Sequence, residues 1–171
     1  MQVDHANILK QRALRLAAPK SDQGDAPGQA SGESLHIVEF LLFPEIYAVS
    51  LEYVKEVFPL KDLCHVPGSA AHVMGLVNYR GDIMAVIDLK QVFRLKEKGL
   101  TEMNRVLLLE GPEMSLGLVA DRVLGSKKIS AGDVMAPPAH LSARGEDFIR
   151  GVCPEGSILL KAESLLRAGS L

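Results

Sequence analysis

Arg80 is the residue whose type and setting most plainly serve chemistry, and that chemistry is recognition. It stands in Asn78-Tyr79-Arg80-Gly81-Asp82, a polar centre flanked by the apolar runs 73–77 and 83–87. Apolar runs bounded by turn residues read as strands, and a short Gly-containing connection between them reads as a hairpin. Gly81 takes positive φ there without steric cost. Arg80 then sits at or beside the turn, offering the rigid donor fork of its guanidinium to another surface. The same residues spell the adhesion tripeptide Arg80-Gly81-Asp82, but adhesion needs export, and the N-terminal MQVDHANILKQ has no apolar secretory core.

Bond-making chemistry finds little support. Nucleophilic catalysis needs an activated Ser or Cys beside a base, and neither a G-x-S-x-G elbow nor an activating signature around Cys64 or Cys153 is present. Cys64-His65 with His72 matches no zinc spacing. A P-loop and a dinucleotide fingerprint are both missing, and nothing nominates a pair of carboxylates for acid–base work. The sequence thus implies no catalytic residue, no metal and no cofactor. The two cysteines read as buried or semi-buried small hydrophobes in a reducing cytoplasm. Glu56, in Val54-Lys55-Glu56-Val57, alternates with Lys55 and Val57, so one face of that strand is only partly buried. It reads either as a solvated strand carboxylate or as a partner-facing group able to orient an arginine. Asp121, after an apolar strand, reads as a turn-stabilising Asp bonding its own backbone.

The elements that position these residues are short strands. Runs at 35–43, 46–50, 54–60, 73–77, 83–87, 105–110, 114–120, 122–129, 148–153 and 157–160 are separated by Pro- and Gly-containing turns. Many short strands at regular spacing argue for a sandwich or barrel. Helical patterning is confined to the termini and to residues 89–95, where Asp88 can act as N-cap and Leu89, Val92 and Phe93 share a face. Residues 4–18 form an amphipathic helical pattern, and residues 19–34, rich in Pro, Gly, Ser, Asp and Gln, read as a flexible linker. That helix is either a frayed or internally packed terminus or one that docks on a partner. A domain over 35–171 follows, with KEKGLT at 96–101 as a seam between its halves and a short last helix at 162–167.

Composition narrows the function. With 171 residues the chain reads as one domain. A net charge of −2 gives no basic excess for phosphate recognition or a polybasic membrane anchor, so nucleic acid is not an expected partner. The chain has no uninterrupted apolar run long enough to span a bilayer; its best stretch, 35–51, carries His36, Glu39, Pro44 and Glu45. Trp is absent and aromatics are few, so Val, Leu, Ile and Met must build the core.

The ordered motifs resemble the chemotaxis coupling protein (CheW) family. Val66-Pro67-Gly68, Gly75, Asn78-x-Arg80-Gly81 and Val86-Ile87-Asp88-Leu89 running into Phe93 carry the likeness. Phe40-Leu41-Leu42-Phe43, Tyr47-Ala48-Val49 and Val54-Lys55-Glu56-Val57 extend it upstream; Gly117 to Val123, Ile149-Arg150-Gly151-Val152 and Ile158-Leu159-Leu160 extend it downstream. The resemblance implies an all-β fold of two packed five-stranded SH3-like barrels. It also implies a non-catalytic adaptor that couples the cytoplasmic tip of chemoreceptors to the regulatory domain of a CheA-type histidine kinase. Such an adaptor is cytoplasmic and recruited to receptor arrays at the inner membrane. Its interaction surface on the first barrel would comprise Val54, Glu56, Gly75, Asn78, Arg80 and Gly81, with Val86, Asp88, Gly117 and Asp121 determining the fold. Tyr79 departs from the family, which more often has an aliphatic residue there. Two alternatives stand beside this reading: an adaptor of a twitching or gliding pathway, and a small β-barrel enzyme.

Overall fold

The computed structural model describes residues 33–96 and 99–168. The helix expected over 4–18 and nearly all of the linker expected over 19–34 lie outside the described residues. The chain runs through β1 (Ser34–Leu42), β2 (Glu45–Ser50), β3 (Val54–Pro59), β4 (Val73–Tyr79), β5 (Asp82–Ile87), α1 (Leu89–Phe93), β6 (Arg105–Glu110) and β7 (Ser115–Ala120). It continues through β8 (Arg122–Ser130), α2 (Ala139–Gly145), β9 (Ile149–Val152), β10 (Ile158–Leu160) and α3 (Ala162–Ala168). Each of the ten strands falls on a run expected to be one. The strands form two five-stranded sheets, ordered β8-β1-β2-β10-β9 and β3-β6-β7-β5-β4. Within each, one pair is parallel, β2 with β10 and β5 with β7. The all-β class expected from the resemblance is the class observed.

Expectations about the seam, the helix content and Asp121 are corrected. The sheets do not part at residues 96–101: that segment joins α1 to β6 while the chain stays with the second sheet. The chain instead changes sheet between Ser50 and Val54 and again between Ala120 and Arg122, so the first sheet takes strands from both ends of the domain. Local patterning marks strands but not which strand borders which. The second correction is α2, in a segment expected to lack helix. Pro138 occupies its N-cap with φ −64, a geometry ready for helix entry. Among the described side chains of its sequence AHLSARG only Leu141 is buried, so there is no apolar periodicity to read.

Three apolar clusters explain the alternation. Val38, Phe40 and Leu42 of β1 meet Leu107 and Leu109 of β6 and Leu116 and Leu118 of β7, with Leu89, Phe93, Leu165 and Leu166 of the helices closing the same core. Leu108 points the other way, into a cluster with Val77, Met84, Val86 and Val119 on the inner face of the second sheet. Ile37, Ala48, Cys153 and Leu159 form the equivalent cluster of the first. Side chains alternate faces along a strand, so β6 supplies both clusters and must be apolar throughout, as RVLLLE nearly is. Cys153 is buried as expected, whereas Cys64 is exposed.

One polar cluster ties the two sheets together. Asp121 accepts from the Phe43 backbone N–H at 2.8 Å and pairs with Lys90 Nζ at 2.5 Å. The Asn104 side-chain amide donates to it at 3.4 Å, and the Asp121 N–H donates to the Leu41 carbonyl at 2.9 Å. The expected local turn bond is thereby corrected: the Asp121 carboxylate serves Phe43, Lys90 and Asn104, all distant in sequence. Asp88 caps α1 as expected, accepting from the Lys90 N–H at 2.9 Å.

Candidate functional site

Arg80 and Gly81 alone make the β4–β5 turn, with φ of 52° and 98°. Two successive positive-φ residues are the signature of a two-residue turn whose twist matches the flanking strands. The turn is shorter than the five-residue centre read from the sequence, because Tyr79 and Asp82 already pair across the strands. Asn78 supports it by accepting from the Gly81 N–H at 2.9 Å. A Cβ on Gly81 would meet nothing, so glycine is needed there for backbone conformation alone.

Glu56 lies on β3, and β3 and β4 are the two edges of the second sheet. The sheet curls until these edges meet through side chains. Arg80 Nη2 lies 3.0 Å from Glu56 Oε2 and 3.3 Å from Oε1. The Tyr79 hydroxyl donates to Glu56 Oε2. Beneath them the Tyr79 ring stacks on Phe58, with centroids 4.9 Å apart and planes 20° from parallel. The Arg80 guanidinium carbon sits 5.1 Å from the Tyr79 ring centroid. The hydrogen bond to Glu56 is the largest influence raising the Tyr79 pKa above the usual phenol value; slight desolvation and the Glu56 charge add to it, and the Arg80 charge opposes it. Tyr79 is therefore a neutral donor at physiological pH. The Arg80 side chain is 72 % exposed and that of Glu56 36 %. A surface ion pair of this kind contributes only about 0–1 kcal/mol to stability. Its value is geometric, because it presents a charged donor fork in a set orientation.

The remaining sequence candidates are placed as follows. Gly81 belongs to the exposed turn, and Asn78, exposed near the end of β4, supports it. Gly75 does not: it is buried, and a Cβ there would overlap the Cys64 carbonyl, whose segment bridges β4 through mutual Cys64–Leu76 bonds of 2.8 Å. Val54 is half-buried against the shared core, opposite Leu109. Tyr79 and Phe58 were not among the sequence candidates. The one available signal was an aromatic where the family resemblance implied an aliphatic side chain. Ile83, paired across the hairpin with Asn78, adds an apolar side chain 72 % exposed beside the turn.

Among the described residues there is no group of three or more His, Cys, Asp or Glu side chains able to hold a metal ion, and no helix long and apolar enough to cross a membrane. The exposed chemistry at the β4–β5 turn is hydrogen bonding and charge, suited to binding a protein surface.

Comparison with known proteins places the whole fold in a family. Residues 36–169 match the family described as "CheW-like domain". A chemotaxis protein CheW from Treponema pallidum is 30 % identical over 138 residues, covering 78 % of this chain and 81 % of that protein. Protein PilI from Pseudomonas aeruginosa is 27 % identical over 144 residues, covering 84 % of this chain and 78 % of the relative. The crystal structure of the scaffolding protein TtCheW from Thermoanaerobacter tengcongensis superposes with a TM-score of 0.69 at 26 % identity, covering 75 % of this chain and 90 % of that one.

Proposed function

The chain belongs to the CheW-like domain family, and from that membership we propose that it is a non-catalytic adaptor coupling chemoreceptors to a CheA-type histidine kinase in bacterial chemosensory signalling. It acts in the cytoplasm at receptor arrays. Its partners are the regulatory domain of the kinase and the cytoplasmic tip of the receptor. A scaffold transmits receptor state to the kinase only if it makes different contacts in the kinase's two states. The shared core and the Asp121 cluster support this reading by making the two sheets one mechanical unit. Family membership sets aside the small β-barrel enzyme.

The observation that carries the binding assignment is the ion pair between Arg80 on the exposed β4–β5 turn and Glu56 on β3. Glu56, Asn78, Arg80 and Gly81 form the kinase-facing surface. Val54 and Gly75 shape the strands behind it. Arg80→Ala should leave the circular dichroism spectrum unchanged and weaken binding to the kinase regulatory domain by about 2 kcal/mol, the loss common on truncating an interface arginine. Calorimetric titration against the kinase domain and against a receptor tip tests this; unchanged affinity for both overturns the assignment. Similarity to PilI supports a second reading, an adaptor of a twitching or gliding pathway. It differs in the receptor served and not in the fold. Capture of receptors from the native cell with the purified adaptor and kinase separates the two.

A further inference from the structure

We propose that Tyr79 is a positioning residue that fixes the Glu56 carboxylate and, through it, the Arg80 guanidinium in the orientation the kinase domain binds. The inference rests on the reading of Arg80 as an interface residue.

The contacts form a chain anchored in the second sheet. Phe58 packs partly against the cluster of Val77, Met84, Val86, Leu108 and Val119. Tyr79 packs against the same cluster and stacks on Phe58, which fixes its ring. A fixed ring places its hydroxyl on Glu56 Oε2. Glu56 then holds Arg80 Nη2 through both carboxylate oxygens, and the guanidinium lies against the face of the same tyrosine. Each step fixes the next, from buried to exposed.

Without the hydroxyl, Glu56 is held, among the described residues, only by its pair with Arg80, a half-exposed carboxylate against a largely exposed arginine. Such pairs pay side-chain entropy for their geometry and hold it weakly in water. A free arginine must lose its rotamer freedom when it binds, whereas one already oriented has little left to lose. Only Nη2 of Arg80 is engaged within the protein among the described residues, so its other N–H donors face outward for acceptors on the partner. The raised Tyr79 pKa agrees with this arrangement, since Glu56 stabilises the protonated phenol.

Tyr79→Phe isolates the effect, because it keeps the ring on Phe58 and under Arg80 and removes only the hydroxyl. Affinity for the kinase regulatory domain should fall roughly fivefold, the size of one net hydrogen bond. The melting temperature should stay within about 2 °C of the native value, consistent with a surface change. The Arg80 Nε–Hε group, followed by NMR relaxation in the free protein, should become more mobile. In the Arg80→Ala background, Tyr79→Phe should have no further effect on binding. Tyr79→Leu, which also removes the ring contacts, should weaken binding more than Tyr79→Phe. If Arg80→Ala weakens binding while Tyr79→Phe binds like the native protein with an equally ordered Arg80, the interface reading stands and the positioning role is wrong. An equal loss from Tyr79→Phe in both backgrounds means that Tyr79 touches the partner directly, which also overturns the role. Native affinity in Arg80→Ala overturns both.

Discussion

Asp121→Ala is expected to be among the most destabilising substitutions in this protein, and the reason can be counted bond by bond. Lys90 and Asp121 pair at 2.5 Å, with side chains only 6 % and 18 % exposed. The same carboxylate accepts from the Phe43 N–H at 2.8 Å and from Asn104. Truncation to alanine strands a buried ammonium. Breaking a buried pair by removing one partner costs about 3–5 kcal/mol, because the remaining charge stays desolvated. At about 2–4 °C per kcal/mol for a chain of this size, the midpoint should fall by roughly 6–20 °C. Urea denaturation followed by circular dichroism measures the loss directly. The decisive comparison is the double variant Lys90→Met/Asp121→Ala. It removes the stranded charge and should recover about half or more of the lost stability. A loss below about 1 kcal/mol in Asp121→Ala, or a double variant no more stable than the single, would refute the view that a buried ion pair joins the sheets.

Two further outcomes follow from local geometry. Gly75→Ala should lose about 1–3 kcal/mol, since its methyl group would overlap the Cys64 carbonyl and push the 60s segment off β4; full stability in urea would show that the segment yields freely. Tyr53 donates to Glu163 at 2.6 Å, and that bond, with lesser help from desolvation, raises the phenol pKa to about 12. The same bond is the largest influence lowering the Glu163 pKa. A raised folded pKa stabilises fully below the unfolded value near 10, and that contribution disappears as pH rises through about 12. A lowered carboxylate pKa stabilises above the unfolded value near 4.5, and that contribution disappears as pH falls through the folded value. Tyr53→Phe should therefore flatten the stability profile at both ends, measured by urea titration across pH; unchanged slopes would show that solvent screens the bond.

Much of the fold was legible because its signals are local. Alternating or continuous apolar runs between Pro and Gly turns marked every strand, and Asp88 followed by an apolar face marked α1. Arg80-Gly81 marked a turn because its backbone needs can be read from the two residues themselves. The family resemblance rested on the order and spacing of such pieces. The site was only half legible. Arg80, Asn78, Gly81 and Glu56 were named from sequence and do lie together, but Gly75 proved buried and Tyr79 went unrecognised as their link.

The sequence by itself determined where strands, turns and caps fall, since period-two burial, positive-φ turns and side-chain capping depend on neighbours a few residues away. Only the tertiary structure decided which strands share a sheet. Strands such as β6 and β7 are buried on both faces, so their patterning carries no record of what lies on either side. Tertiary structure also decided that Glu56 would meet Tyr79 and Arg80 across two sheet edges, and that Asp121 would bond Phe43 from 78 positions away. Contacts at such separations arise when distant apolar faces close on a common core, and no local rule of backbone or side chain specifies them.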